Sequence, residues 1–339
     1  MRLLLSAIEP SADRLGAELV AELRRRGVPL TLTGLGGPCL QAAGLVPLAP
    51  LAPPAMGLWE VLAHLGAIRR QRQALLRAAV PGVDTLLCID APDFHLPVAA
   101  AARRRGVRTV GWVSPQLWAW RPGRKHAVAA ALSQLWCLFP FEPALYAGTD
   151  LDARFLGHPA LDRVRPRAPE PGVVALFPGS RPAELSRHLA PFLEATRDAH
   201  TVLVAEAPGS ELRSRLPADP RLHVVGSAEA MVRAERALAK SGTVTLELAL
   251  HGVPFVVAHR VHWLTYAVGK RLVRGIRFLA LPNLLSDREA VREFVQHFTP
   301  ADLRLALAAA TAPPTEELVA CVGPPGVIER AADLLLAGG

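Results

Sequence analysis

The feature that most constrains the fold is a regular alternation of short apolar runs with longer segments of helical spacing. Residues 2–8 form an apolar run, and the helical pattern that follows, Ser11–Arg26, ends in Arg-Arg-Arg-Gly. A basic last turn followed by glycine is a common helix end. The same ending closes the helical segment 96–105, which follows a strongly apolar strand at 84–90. Repeated strand–helix units of this kind predict a mostly parallel sheet with helices on its faces.

The alternation is interrupted once, which suggests two domains. A chain of 339 residues exceeds one ordinary core. The segment RVRPRAPEPG, residues 163–172, is rich in proline and charge and is predicted to be a linker. We therefore expect an N-terminal domain at 1–162 and a C-terminal domain at 173–339, whose last helix is free to pack back on the first. Two doubly wound α/β domains of this type bind ligands at the carboxyl ends of their strands, in the cleft between them.

Composition places the chain among packed globular proteins. Hydrophobic residues make up 51% of the sequence and charged residues 20%, a balance that excludes disorder. No apolar run reaches the roughly 18 residues of a membrane-spanning helix, and the apolar start is too short for a signal peptide. The four cysteines are scattered without CxxC spacing. Reduced core cysteines in a cytoplasmic protein are the preferred interpretation.

The net charge of +8 has three interpretations. Arginine dominates over lysine, which fits a compositional bias toward GC-rich codons. The functional alternative is attraction to anionic membrane surfaces or phosphorylated substrates. Nucleic-acid binding is disfavoured, because only 5% of residues are aromatic and no basic run is interleaved with aromatic residues.

Two similar turns carry the strongest functional signal. One lies in LFPGSRPAE, residues 176–184, and the other in AKSGTVTLELALHGVPFVV, residues 239–257. Each joins an apolar run to a helical pattern through Gly, Ser or Thr, an arrangement that directs backbone N–H groups and a helix N-terminus at an anion. Two such turns in one domain, the second followed by a carboxylate, indicate a cradle for a sugar nucleotide. The candidate donor-binding residues are Gly179, Ser180, Arg181, Ser241, Gly242, Thr243 and Glu247.

Carboxylates at strand ends are the candidates for acid–base chemistry. Asp90 closes the apolar run DTLLCID, where burial could raise its pKa toward that of a working base. Asp90 as a cap of the next helix is an equally good interpretation, although Asp93 is the better cap candidate. Glu9 and Asp13 flank the turn after the first strand, and either contacts substrate hydroxyls or caps the following helix.

A loop rich in tryptophan follows another strand. Trp120 and Arg121 suit sugar stacking or phosphate capture, whereas Trp118 is better explained by packing under the loop. Arg124 is a further functional candidate. His158 is interpreted as a structural hydrogen-bonding residue. His259 and His262 form H-x-x-H without a third ligand at zinc-site spacing, so we expect no metal.

These residues lie in motifs that resemble the lipid-A-disaccharide synthase family, which are glycosyltransferases of the GT-B architecture. The resemblance covers nearly the whole chain, and several of its motifs are peculiar to that family. In chain order the segments are AMGLWEVL (55–62), IDAPDFH (89–95), WVSPQLWAWR (112–121), FPFE (139–142), FLGHP (155–159), FPGSRPAE (177–184), KSGTVTLE (240–247) and LPNLLSDREAVREFVQ (281–296).

The resemblance implies an inverting transfer. UDP-2,3-diacylglucosamine donates its acylated sugar to 2,3-diacylglucosamine 1-phosphate, giving a β-1,6-linked disaccharide phosphate and UDP. By this resemblance Asp90 matches the candidate base, Glu247 the residue that holds the ribose, and Asn283 a position implicated in activity. No metal or other cofactor is implied. Family members are peripheral on the inner face of the cytoplasmic membrane, and the oligomeric state is left open between monomer and homodimer.

The resemblance also implies an acceptor and lipid side in the first domain. Glu9, Ser11 and Asp13 keep three positions of the family's first turn, and Met56 opens a cluster that resembles a membrane-docking or acyl-chain-binding surface. The cluster continues with Leu58, Trp59, Val61 and Leu62, and cations follow at Arg69, Arg70 and Arg72. An ordinary core face at helical spacing explains the same cluster. A second basic group comprises Lys270, Arg271, Arg274 and Arg277.

The chain departs from the family at a few positions. Ile8 and Ala12 replace two glycines of the first turn, His95 replaces an asparagine, and the segment after 315 is short. Added Cβ atoms near substrate put the acceptor in question. Two alternatives therefore remain: another UDP-sugar enzyme of GT-B build, including an epimerase, and a non-catalytic UDP-sugar or lipid-binding protein.

Overall fold

The computed structural model describes residues 1–51, 58–117, 122–207, 210–262, 266 and 277–338. The chain forms two compact units. The first comprises Met1–Pro159 together with Val322–Gly339, and the second comprises Ala160–Cys321. The chain therefore leaves the first unit after residue 159 and re-enters it at residue 322.

The first unit is built on a seven-stranded parallel sheet. Its strands lie in the order β3-β2-β1-β4-β5-β6-β7, so β1 and β4 occupy the centre. All residues of β4 are buried, as the apolar run around it predicts. The strands are β1 (Arg2–Ala7), β2 (Thr31–Leu35), β3 (Val46–Pro47), β4 (Thr85–Ile89), β5 (Arg108–Trp112), β6 (Gln134–Cys137) and β7 (Asp152–Phe155).

Helices connect these strands. In chain order they are α1 (Pro10–Arg25), α2 (Pro38–Ala42), α3 (Leu58–Ala78), α4 (Pro92–Arg104) and α5 (Lys125–Ala131). Helix α4 begins four residues before the predicted start at 96, because Pro92 and Asp93 suit the first turn of a helix.

The second unit repeats the design with a six-stranded parallel sheet. The strand order is β10-β9-β8-β11-β12-β13. Its strands are β8 (Val173–Phe177), β9 (Thr201–Glu206), β10 (Leu222–Gly226), β11 (Arg236–Ala239), β12 (Phe255–His259) and β13 (Glu293–Val295). Its described helices are α6 (Pro182–Ala195), α7 (Leu212–Arg215), α8 (Ser227–Arg233), α9 (Thr243–Leu250), α10 (Leu281–Ser286), α11 (Pro300–Ala308) and α12 (Thr315–Val322).

A last helix, α13 (Val327–Leu336), belongs to the first unit and packs against α1. Arg26 donates to the Asp333 carboxylate and to the carbonyl of Glu329. Arg108, at the start of β5, donates to the carbonyls of Leu334 and Leu335, in the last turn, where carbonyls lack intrahelical donors. Two arginines therefore fasten this helix to the first unit.

The segment 163–172, predicted as a linker, lies within the second unit. The N–H groups of Ala168 and Glu170 donate to the carbonyls of Val232 and Arg233, at 3.1 and 2.9 Å. The Arg167 guanidinium donates to two further carbonyls of this unit. Proline-rich chain can lie along a domain in this way because its few N–H groups find partners.

Each sheet is covered by apolar side chains that form its own core. The predicted α/β class, with two Rossmann-like units built on parallel sheets, is confirmed. Among the described residues no helix is both long and apolar enough to cross a membrane.

Candidate functional site

The two Gly/Ser turns meet at one edge of the second sheet. They follow β8 and β11, which are neighbours, and the Lys240 N–H donates to the carbonyl of Phe177 at 2.9 Å. Carboxyl ends of adjacent parallel strands form the usual binding edge of an α/β domain. The structure thus brings the two predicted parts of the donor cradle side by side.

Glu184 fills the first turn. Its Oε2 accepts the N–H groups of Ser180 and Arg181, at 3.0 and 3.3 Å, and its Oε1 lies 2.9 Å from the Lys240 Nζ. Glu184 is only 5% exposed. A glutamate three residues after an N-cap is the capping-box position, so the sequence carried a signal for this contact that the predicted donor site left out. The turn that was predicted to bind a diphosphate is therefore already organised around an internal anion.

The charges around Glu184 balance its burial. Burial alone would raise the pKa of Glu184, but the Lys240 ammonium and the N–H of Ser180 outweigh it, and the pKa is lowered. His188, behind the turn, donates from Nδ1 to the Glu184 carbonyl and accepts the Arg260 N–H at Nε2. Burial lowers the pKa of His188 to about 4, so the ring is neutral and ties α6 to the end of β12. The first turn is thus held by the Glu184 carboxylate on one side and by the His188 ring on the other.

The second turn presents the start of α9. Gly242 has an extended backbone at the N-cap, and Thr243 is exposed at the first helical position. The Ser241 hydroxyl instead donates to the Leu279 carbonyl at 2.9 Å and is buried. The backbone at Gly242 and the Thr243 side chain are therefore the accessible part of this turn.

Glu247 lies one turn further along α9. It forms an ion pair with Arg163, with 3.2 Å between Nη1 and Oε1, and the two side chains are 19% (Arg163) and 13% (Glu247) exposed. The pair fixes the direction of the carboxylate while leaving part of it accessible. This is compatible with the ribose contact that the resemblance implies for Glu247.

Asn283 is placed differently from the prediction. It has no exposed surface, and its amide pairs with both backbone groups of Val291 and with the Glu293 carboxylate. Buried amides that are fully satisfied within the fold hold backbone in place rather than bind ligands. The structure therefore gives Asn283 the role of fixing the loop before β13.

In the first unit, the ends of β4 and β5 are strained. Asp90 and Ala91 have φ of 58° and 46°, and Val113 has φ of 78°. Left-handed backbone costs a non-glycine residue roughly 1–2 kcal/mol, and a β-branched residue such as valine is rarer still in this region. Strain at neighbouring strand ends is characteristic of sites where geometry serves function.

Asp90 is held by its backbone. Its N–H donates to the Trp112 carbonyl at 2.8 Å, and its carbonyl accepts the His95 ring N–H at 2.6 Å. The carboxylate accepts the N–H of Ala91 at 2.7 Å, which is not the bond of a helix cap. Asp93 pairs with Arg124 at 2.7 Å, so these two candidates engage each other. The capping interpretation of Asp90 is therefore wrong, because Ala91 is the N-cap and no side chain caps the helix, and the base interpretation stays a prediction.

The three candidate residues in the first turn of the chain differ in accessibility. Asp13 accepts the N–H groups of Gly37, Cys39 and Leu40, at 2.7, 2.9 and 3.1 Å, and is 3% exposed. Its carboxylate caps α2 and is directed into the fold. Glu9 is half-buried at the N-cap of α1, and Ser11 is exposed in the first turn of that helix. Glu9 and Ser11 therefore remain the accessible candidates for acceptor binding.

Ile8 and Ala12 stand where the resembled family has glycine; Ile8 is half-buried and Ala12 is buried. The non-glycine residues of the described chain with positive φ are Asp90, Ala91, Val113, Asp287 and Gln296. Neither Ile8 nor Ala12 is among them, so the first turn does not require glycine.

Several candidates lie outside the described residues. These are Met56, Trp118, Trp120, Arg121, Lys270, Arg271 and Arg274, and the side chains of Leu58, Trp59, Val61 and Leu62. His158 is described: its N–H donates to the Val322 carbonyl, and its ring lies 5.7 Å from that of Phe139. No group of three or more His, Cys, Asp or Glu residues with metal-site geometry is found in the part of the chain that the structure describes.

Glu142, which follows β6 and ends the FPFE motif, is a titratable group that was not predicted as a site residue. It is 2% exposed, and its Oε2 accepts the N–H groups of Leu138 and Phe139 at 2.9 and 3.0 Å. Burial raises the pKa of Glu142 to about 7, although the two N–H groups act in the opposite direction. This carboxyl therefore changes charge within the physiological range.

A pH dependence of stability follows from Glu142. Its folded pKa lies above its unfolded value, so its stabilising contribution is complete below pH 4.5 and is lost as the pH rises through about 7. The loss amounts to about 3 kcal/mol. Because Glu142→Gln imitates the protonated form, we expect its melting temperature to change less than that of the native protein between pH 5 and 8. Equal changes in melting temperature for the native protein and for Glu142→Gln across that range would contradict the assignment.

Comparison with known proteins decides the family. The profile described as lipid-A-disaccharide synthetase matches residues 3–312. The chain belongs to this family. A lipid-A-disaccharide synthase of Anaeromyxobacter dehalogenans is 39% identical over 87% of this chain and 84% of its own length. Synthases of Pseudomonas aeruginosa and Geobacter sulfurreducens are 38% and 35% identical, with 87% and 89% of this chain covered and 85% of each relative.

Comparison with solved structures identifies the fold. The calicheamicin glycosyltransferase CalG4 superposes with a TM-score of 0.61 over 99% of this chain and 98% of its own, at 17% identity. A UDP-GlcNAc 2-epimerase of Neisseria meningitidis, bound to UDP-GlcNAc, gives 0.57 over 99% of this chain and all of its own, at 9% identity. At such identities the likeness shows the fold alone, which is that of GT-B glycosyltransferases. It is the family match that separates this member of the lipid-A-disaccharide synthase family from epimerases.

Proposed function

We propose that this chain transfers 2,3-diacylglucosamine from UDP-2,3-diacylglucosamine to 2,3-diacylglucosamine 1-phosphate. The products are the β-1,6-linked disaccharide phosphate and UDP, which makes the protein a hexosyltransferase of lipid A biosynthesis. The observation that carries the proposal is the family match over residues 3–312. The two neighbouring turns of the second unit and the strained Asp90 of the first supply the chemistry that such a reaction needs.

The donor binds in the second unit. Glu184 keeps its contacts and holds the first turn, while the Ser180 hydroxyl and the Arg181 guanidinium contact the diphosphate. The exposed N-terminus of α9 at Thr243 contributes backbone N–H groups and its dipole to the same anion. Glu247, oriented by Arg163, accepts hydrogen bonds from the ribose hydroxyls. The Ser180 hydroxyl, the Arg181 guanidinium and the N-terminus of α9 stabilise the negative charge of the leaving UDP, so no metal is required.

The transfer is a single displacement with inversion. The 6-hydroxyl oxygen of the acceptor attacks the anomeric carbon of the donor sugar on the face opposite UDP. The bond between that carbon and the phosphate oxygen breaks, and UDP leaves with the electron pair. Asp90 removes the hydroxyl proton as a general base. Glu9 and Ser11 bind acceptor hydroxyls in the first unit.

The membrane surface is the proposed source of both lipids. Helix α3 presents the apolar Leu65, which is 37% exposed, beside the exposed Arg69 and Arg70. Arg72, by contrast, turns inward to the Asp93 carbonyl and the Phe94 ring. Apolar residues beside cations suit an anionic interface.

We expect Arg69→Glu with Arg70→Glu to reduce co-sedimentation with anionic vesicles by about tenfold, because two attractive charges become repulsive. Neutral vesicles are the control. Unchanged sedimentation of the double variant would exclude this face of α3 as the membrane contact.

The experiment that tests the function is a direct assay. Purified protein is incubated with both lipid substrates and EDTA, and disaccharide phosphate is followed by mass spectrometry. Product that requires both lipids supports the proposal, and product in EDTA supports a metal-independent transfer. UDP binding without product would mean that the acceptor is wrong or that the chain is a binding protein only.

A further inference from the structure

We infer that His95 is the residue that positions Asp90, through a hydrogen bond to its backbone carbonyl. The inference rests on the proposed role of Asp90 as the base. It concerns how one residue of this chain fixes the direction of that carboxylate, and it begins from three contacts of the His95 ring.

The two ring nitrogens of His95 have different partners. Nδ1 lies 2.6 Å from the carbonyl oxygen of Asp90, and Nε2 lies 2.7 Å from the Ser6 hydroxyl. A carbonyl oxygen can only accept, so Nδ1 carries the proton. The ring edge also packs against Phe94, with centroids 5.1 Å apart and planes at 90°. The ring is therefore fixed in place, orientation and tautomer.

The surroundings keep the ring neutral. His95 is 2% exposed and Ser6 is fully buried. Burial lowers the pKa of His95 to about 4, and the charge of Arg72 acts in the same direction, against the opposing effect of the Asp90 carbonyl. In the neutral ring Nε2 must accept, so the Ser6 hydroxyl donates to it. The chain of donors runs in one direction, from Ser6 through His95 to Asp90.

The bond acts where the backbone is strained. Asp90 and Ala91 both adopt left-handed conformations, which isolated chain would leave. The Asp90 N–H is held by β5, through Trp112, and its carbonyl is held by His95. With both backbone groups fixed, the Cα–Cβ bond of Asp90 points in a single direction. Without the His95 bond the carbonyl can rotate, and the carboxylate moves with it.

A matched pair of variants separates positioning from packing. In asparagine the amide nitrogen occupies the covalent position of Nδ1, so His95→Asn can still donate to Asp90 but no longer reaches Ser6. In glutamine the amide corresponds to Nε2, so His95→Gln can reach Ser6 but cannot donate to Asp90. Each variant loses one of the two bonds, and we expect similar melting temperatures for both.

Turnover is expected to distinguish them. His95→Gln should lower kcat by about 10- to 100-fold at unchanged donor KM, as a misdirected reactive group does. His95→Asn should restore most of that loss. Equal kcat for the two variants, or losses that follow melting temperature, would overturn the inference. Asp90→Asn is assayed beside them: if it turns over normally, the proposed base fails, whereas an inactive Asp90→Asn with a fully active His95→Gln removes the positioning role alone.

A measurement on the native protein guards against variants that do not fold. The ¹⁵N chemical shifts of the histidine rings report tautomer and protonation. The signal that is absent from whichever of the two His95 variants folds should show the neutral Nδ1–H form from pH 5 to 8. A ring protonated at Nε2, or one that titrates in this range, would overturn the inference.

Discussion

Replacing Asp90 with asparagine is expected to lower kcat by about 10²- to 10⁴-fold, the usual contribution of a general base. Asparagine is the informative substitution because it tolerates left-handed backbone well, and its amide oxygen can accept the Ala91 N–H as the carboxylate does. An alanine would confuse loss of the base with loss of the turn. Steady-state kinetics with saturating lipids measure the effect, and UDP titration checks that donor affinity is retained.

Asp93→Asn provides the matched control for that experiment. Asp93 lies three residues further along, is largely exposed and pairs with Arg124. Asp93→Asn removes the same charge from the same helix start. Because its ion pair is at the surface, we expect the turnover of this variant to stay within about twofold of the native value. Equal losses in both variants would point to a general electrostatic effect of this helix terminus and against a base at Asp90.

The second large effect is expected for Gly179→Ala, on donor binding. Gly179 has φ of 109°, and an added Cβ would lie 2.6 Å from the Cβ of Glu184 and 2.5 Å from its Oε2. Relief of that clash moves Glu184 away from the N–H groups of Ser180 and Arg181. Since the turn is organised by those bonds, we expect the Kd for UDP to rise about 10- to 100-fold, or about 1.4–2.8 kcal/mol. Isothermal titration of UDP measures it.

Two other glycines separate the causes of that loss. Gly172 also has positive φ, at 77°, but an added Cβ would meet only His200, at 3.7 Å. Gly226 has ordinary φ and nothing within 4 Å of the added atom. Gly172→Ala should lose stability and keep UDP affinity, and Gly226→Ala should change neither. A Kd for Gly179→Ala within about twofold of the native value would remove this turn from the donor site.

The order of the elements could be predicted from the sequence because apolar periodicity reports burial directly. The run at 84–90 became β4, and the basic helix endings before Gly27 and Gly106 marked where α1 and α4 stop. The start of α4 was missed, since Pro92 and Asp93 resemble loop residues until their position after a strand is known. The packing of 163–172 against the second unit was missed for a related reason, because proline-rich chain reads as linker whether or not it is packed.

The candidate site was located more reliably than its contacts were. Both turns and Asp90 lie at strand ends, as predicted, because strand ends can be read from local sequence. The partners of Asp13 are 24–27 residues away, and only the pairing of β1 with β2 brings them together. Asn283 is satisfied by a loop that returns eight residues later. Whether a polar residue binds a ligand or a backbone group depends on such returns, which local sequence does not encode.

The path of the chain through the first unit has a consequence for biosynthesis. Residues 322–338 complete that unit, because α13 packs against α1. Arg26 and Arg108 can form their hydrogen bonds to the Asp333 carboxylate and to the α13 carbonyls only once this helix is present. Domains fold as their residues leave the ribosome. The second unit is contiguous and precedes the closing helix of the first unit in the sequence, so it leaves the ribosome before that helix does. The half of the molecule that is synthesised first is therefore the half that is completed last, and until then the face of α1 that α13 covers is exposed.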